Sequence, residues 1–135
     1  MRIAAYLLVT AVLAFPAGAG SEPISVDLMP PVVVKTSPPA GAKQVDPSLG
    51  EVRVTFSKAM LTKEMWSFVK ASPDSFPEIA GQPRYLEDQR TIVLPVKLDR
   101  GRTYAMWINS AEHNAFRDRG SNPAVPYLLV FETRK

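Results

Sequence analysis

The chain has 135 residues, 46% hydrophobic and 21% charged, with a formal net charge of +3. That length supports one hydrophobic core rather than two, and that balance excludes a disordered polymer. Basic and acidic residues are interspersed without a block, so no nucleic-acid partner is expected, and the absence of cysteine excludes disulfides, thiolate metal sites and a lipid-modified N-terminal cysteine.

Residues 1–19 read as a secretory signal peptide. Met1-Arg2 carries the positive charge, Ile3 to Phe15 is apolar, and Pro16 leads into the small-x-small pattern Ala17-Gly18-Ala19. The apolar run of about 13 residues is short of the roughly 20 that span a bilayer. Cleavage after Ala19 is expected, with no membrane span in the mature form and an exported protein, periplasmic or secreted. Residues 20–30 read as a linker, and 31–135 as the folded domain.

From there β-branched runs alternate with turn clusters. Residues 32–36 (Val-Val-Val-Lys-Thr) predict a first strand, followed by turn signals at 37–42 and 46–48. Residues 51–56 alternate with a period of two, Val52, Val54 and Phe56 against Glu51, Arg53 and Thr55. A strand is expected at about 64–70, and a loop at 71–83. Residues 84–86 predict a short strand, and 91–96 alternate again. Pro95 in that run lacks an N–H and calls for an edge or an end. Strands at 103–108 and 127–133 follow, separated by a polar loop over 110–124. Seven short strands without a long helix predict an all-β, immunoglobulin-like sandwich with Greek-key connections. Strand phase puts Val54, Phe56, Ile92, Leu94, Tyr104, Ile108, Leu129 and Phe131 in the core, and Met60 and Met106 fit core positions as well.

Three pieces carry a family resemblance. The run from Pro31 through Ser37-Pro38-Pro39-Ala40-Gly41, Val45-Asp46 and Val52 to Met60 resembles the opening of the SbsA-type bacterial Ig-like domain. Leu98-Asp99-Arg100-Gly101-Arg102-Thr103-Tyr104 is similar to that family's L-x-x-G-x-x-Y, and Phe131-Glu132-Thr133 to its closing F-x-T. The family's D-x-x-G-N-P turn is altered here, where Asp118-Arg119-Gly120-Ser121-Asn122-Pro123 has its Gly one place early. The resemblance implies an exported or surface spacer or adhesion module with no catalytic residues to carry over.

The residues themselves offer little chemistry. His113 is the only histidine and lies in a polar loop, which does not make a zinc or copper site. There is no G-x-S-x-G elbow and no Gly-rich phosphate loop. Glu87-Asp88 reads as a hairpin turn. Asp118 and Asn122 fall short of a calcium ligand set and suit a turn. No enzyme activity, cofactor or metal site is therefore expected. A second reading is a periplasmic copper carrier of CopC-like fold, or a small enzyme. The copper reading would draw on Met29, Met60, Met65 and Met106 as soft ligands, but the N-terminal histidine of such carriers is missing.

The informative feature is an outward face. If Tyr104, Met106 and Ile108 point inward, Ala105 and Trp107 point out; if Leu129 and Phe131 point inward, Leu128 and Val130 point out. Neighbouring sixth and seventh strands would gather these four residues on one apolar face, with Trp66 of the third strand expected to join them. That face is the expected binding site for a protein or glycan of the cell envelope, or for self-association, unless the 71–83 or 110–124 loop covers it.

Overall fold

A computed structural model describes residues 23–135. The expected signal peptide and the start of the expected linker lie outside the described residues. The chain forms eight strands and no helix among those residues: β1 (Val33–Ser37), β2 (Glu51–Phe56), β3 (Phe68–Lys70), β4 (Glu78–Ile79), β5 (Arg84–Tyr85), β6 (Thr91–Lys97), β7 (Thr103–Ile108) and β8 (Tyr127–Glu132). One sheet runs β1-β2-β6-β4 with β5 also on β6, and the other runs β3-β7-β8. All pairings are antiparallel. The chain changes sheet between β2 and β3, returns between β3 and β4, and crosses again between β6 and β7, as in an immunoglobulin sandwich.

The core is where the alternation predicts it. Val52, Val54, Phe56, Ile92, Leu94 and Val96 from one sheet meet Tyr104, Met106, Ile108, Leu129 and Phe131 from the other, all buried. Met60 is buried too. Burying one such side chain contributes about 1.5–3 kcal/mol, and this summed burial replaces the disulfide that the sequence cannot form.

The family motifs turn out to be joints. Gly101 has φ +64°, and Tyr104 Oη accepts a 2.7 Å bond from Asp99 N. This tyrosine corner fixes the turn from β6 into β7. Thr133 Oγ1 donates to Asp99 O at 2.6 Å, and Arg102 N donates back to it at 3.0 Å. The closing F-x-T thus latches the chain end onto the same turn. Gly41, with φ +83°, donates its N–H to Val130 O, and Val45 N donates to Glu132 O. The opening motif therefore lines the outer edge of β8.

Four local expectations are corrected. The third strand covers only 68–70, because residues 61–66 leave the ladder and Glu64 adopts φ +54°. Residues 71–83 are not all loop, since Glu78 and Ile79 pair with Lys97 and Val96. Pro95 lies inside a central strand, but its carbonyl faces Ala80 N, so its missing N–H falls in the gap between β4 and β5. The 110–124 loop is not simply polar. Phe116 is fully buried, with its ring 5.2 Å from Phe56 and 5.1 Å, edge-on, from Phe68.

Asn109 makes that insertion hold. It is itself buried, with φ +62°. Its Oδ1 accepts from Phe116 N, and its Nδ2 donates to Phe116 O and Ala124 O. All its amide groups near the core are thereby satisfied, which is the condition for burying an Asn.

Candidate partner-binding face

The outer face of the β3-β7-β8 sheet follows from register. Ala105 stands opposite Val130, and Trp107 opposite Leu128. Directly opposed residues share a face, and their inward neighbours Tyr104, Met106, Leu129 and Phe131 are all buried. Ala105, Trp107 and Val130 are half-buried, and Leu128 is 41% exposed. The structure therefore brings four of the five expected residues together.

Trp66 does not join them. It precedes β3 and packs against the core cluster, on the side of Phe68 rather than of Trp107. The residue of the third strand that stands beside Trp107 is Val69, its direct register partner. Strand parity carried this information. Val69 is one step from Phe68, whereas Trp66 is two steps away and so shares the Phe68 phase.

Neither loop that could have hidden the face lies over Leu128. The 110–124 loop turns inward through Phe116. In the 71–83 stretch, Ser75 O accepts from Ala105 N and Phe76 packs against the core, so the segment follows the sheet edge. What remains is an apolar strip of Val69, Trp107, Leu128 and Val130, ended by the exposed pair Thr103 and Glu132.

The polar groups elsewhere are engaged in turns. Asp88 Oδ1 accepts from Arg90 N and Thr91 N, and its Oδ2 from Thr91 Oγ1. These bonds, the Thr91 hydroxyl foremost, hold its carboxyl below the usual range. Asp118 is 1% exposed. Its Oδ1 accepts from Asn122 N, and its Oδ2 sits 2.8 Å from Lys58 Nζ. Burial pushes the Asp118 carboxyl up, but the Lys58 ammonium and the Asn122 N–H groups together outweigh it and hold it below its ordinary value. Lys58 Nζ also donates to Asp27 O and Met29 O, tying down the start of the domain.

His113 is exposed, and its backbone closes a small turn with Ser110. Met60 and Met106 are core residues, Met65 is half-buried and Met29 exposed. Among the described residues, no three His, Cys, Asp or Glu side chains come together as a metal cluster. No helix among them is long and apolar enough to cross a membrane.

The family model described as a bacterial Ig-like domain matches residues 27–133. The chain belongs to the bacterial Ig-like family. This match covers both sheets and every motif joint described above. Two solved structures share the fold of this Ig-like domain. The S-layer protein rSbsC(31-844) aligns at 16% identity and a TM-score of 0.50, over 79% of this chain. The surface layer protein SbsC, domains 1–6, aligns at 15% identity and a TM-score of 0.52, over 81% of this chain. The Ig-like chain spans 14% of the length of each of those structures. No curated protein matches it.

Proposed function

We propose that this Ig-like protein is an exported, non-catalytic binding or spacer module of the bacterial cell envelope, which holds a protein or glycan partner on the outer face of its β3-β7-β8 sheet. The observation that carries the reading is the direct pairing of Trp107 with the exposed Leu128, flanked by Val69 and Val130. An aromatic ring among aliphatic neighbours, on a rigid sheet with a polar margin, matches the make-up of interface cores. The sequence features at 1–19 support export. The surface-layer proteins that share the fold support a place in the envelope, and supply a context in which such domains act as structural units.

The engagement of the acidic side chains supports a non-catalytic role. Asp88 and Asp118 are each occupied by their own turns, where a general base would have to face a substrate. The copper-carrier reading loses two of its four sulfur donors to the core. The deciding experiment is capture of envelope components on the immobilised protein, wild type against Trp107→Ala. Retention by the wild type and loss by a still-folded variant supports the proposal; equal retention by both refutes it. Stoichiometric copper that disappears on replacing Met65 or His113 would favour the carrier instead.

A further inference from the structure

The sandwich is open along the free edge of β3, where Val69 borders both this opening and the Trp107 face. β3 pairs with β7 alone among the described strands. Ser67 O accepts from Asn109 N, so Ser67 and Val69 turn their backbone groups toward β7, and alternation leaves those of Phe68 and Lys70 directed outward. Across the gap runs β4 of the other sheet. Its Ala80 N–H is spent on Pro95 O, so Ile79 also directs its backbone outward. Between these two edges lies a cleft of about 630 Å³, lined by Trp66, Phe68, Phe76, Ile79 and Leu94, with Lys70 and His113 at its rim. The far edge of the β3-β7-β8 sheet has no such opening, because Gly41 to Val45 bonds along β8.

A second feature lacks a partner. In Ile24-Ser25-Val26-Asp27-Leu28, apolar and polar residues alternate, which is the pattern of a strand with one face to bury, but here the segment is curled into a turn in which Leu28 N and Met29 N donate to Ser25 O. Pro23 and Pro30-Pro31 bound it. Yet Ile24 is 84% exposed, Val26 65% and Leu28 50%. The segment leads into β1, which the order β1-β2-β6-β4 sets at the opposite edge of that sheet from the cleft. Lys58 holds the Asp27 and Met29 carbonyls beside the end of β2, and it is the distance from that edge to the cleft that separates the segment from its own β3. Its charge also fits: Asp27 is the one charged residue between Ile24 and Met29, and Lys70 stands on the cleft rim.

We propose that residues 24–28 of one copy add as a strand to the β3 edge of a second copy and set Ile24, Val26 and Leu28 into its aromatic cleft. The added strand supplies the hydrogen bonds that Phe68 and Lys70 lack and buries two apolar surfaces that each monomer leaves in water. The turn bonds of Leu28 N and Met29 N to Ser25 O, and the Lys58 bond to the Asp27 carbonyl, are exchanged for these. Donor and acceptor are different surfaces, so the contact is head-to-tail, and every added copy presents a fresh segment and a fresh cleft. The product is an open linear array rather than a closed pair.

The test is the mass in solution of the full chain, expressed with its leader and purified as the cell processes it, over a concentration series. The wild type is expected to grow in mass with concentration. Val26→Asp should abolish growth by spoiling the donor, and Ile79→Asp by spoiling the cleft, with Lys70→Asp as the second cleft variant should Ile79→Asp melt early. Mixing the Val26→Asp and Ile79→Asp proteins should restore a one-to-one dimer and nothing larger, because each retains the half that the other has lost. A wild type that stays monomeric, growth that survives Val26→Asp, or a mixture that stays monomeric overturns the proposal. Growth lost on Trp107→Ala but not on Val26→Asp also overturns it and moves the contact to the sheet face.

Discussion

Lys58 Nζ and Asp118 Oδ2 lie 2.8 Å apart, with the two side chains 12% and 1% exposed. The pair joins the end of β2 to the turn before β8, and through Lys58 it reaches the carbonyls of Asp27 and Met29. The folded Asp118 carboxyl ionises below its ordinary value of 3.8. On acidification the unfolded chain therefore takes up the proton first. The stability tied to this pair is complete above that value and is lost as pH falls through the folded pKa. Lys58→Met leaves a buried carboxylate unpaired and should cost about 3 kcal/mol at neutral pH. Denaturant unfolding at neutral pH and again in acid measures it, and the gap between variant and wild type should shrink in acid.

Ser121 sits where the family's D-x-x-G-N-P turn carries glycine, and it adopts φ +65°. The altered motif closes as a turn in which Ser121 N donates to Asp118 O, and Asp118 N to Asn122 O. The displaced Gly120 does not supply the left-handed position. A side chain in that region costs about 1 kcal/mol relative to glycine. Ser121→Gly should therefore raise stability by up to about 1 kcal/mol, read as a higher denaturant midpoint with an unchanged slope. A lower midpoint would mean that the Ser121 hydroxyl, near Arg117, contributes more than the strain removes.

Phe56 is fully buried against Phe116 and should be the most sensitive position of β2. Phe56→Ala is expected to cost about 3–5 kcal/mol. Asn109→Ala should cost roughly 2–3 kcal/mol, because it strips partners from the buried Phe116 and Ala124 backbone groups. Since the two sites share Phe116, the double variant should fall short of the sum. Urea unfolding of the two single variants and the double variant checks all three values.

The strands β2, β7 and β8 are legible in the sequence because each buries one face, and a period of two then shows in the residues themselves; β6, buried on both faces through Val93 as well as Ile92 and Leu94, shows instead as a run of β-branched and apolar residues. β4 is not legible, since two residues carry no period and owe their conformation to pairing with β6. The start of β3 is obscured by Lys63-Glu64-Met65, whose helix preference says nothing of the chain leaving the ladder there. Phe116 is a lone aromatic among polar neighbours, and only its contacts with Phe56 and Phe68 mark it as core. At the candidate face, the phases of β7 and β8 predict Ala105, Trp107, Leu128 and Val130. Trp66 is expected there as a residue of the third strand, but parity assigns that place to Val69.

If Trp107 serves recognition rather than folding, a thermal melt of Trp107→Ala paired with its capture of envelope components separates the two roles. Trp107 is half-buried, and the residues on either side of it, Met106 and Ile108, point inward and are fully buried. The variant is expected to melt cooperatively near the wild type and to lose about 2 kcal/mol of binding, roughly thirtyfold in affinity. A variant that unfolds readily, or one that stays folded and captures its partner as tightly as the wild type, would contradict it.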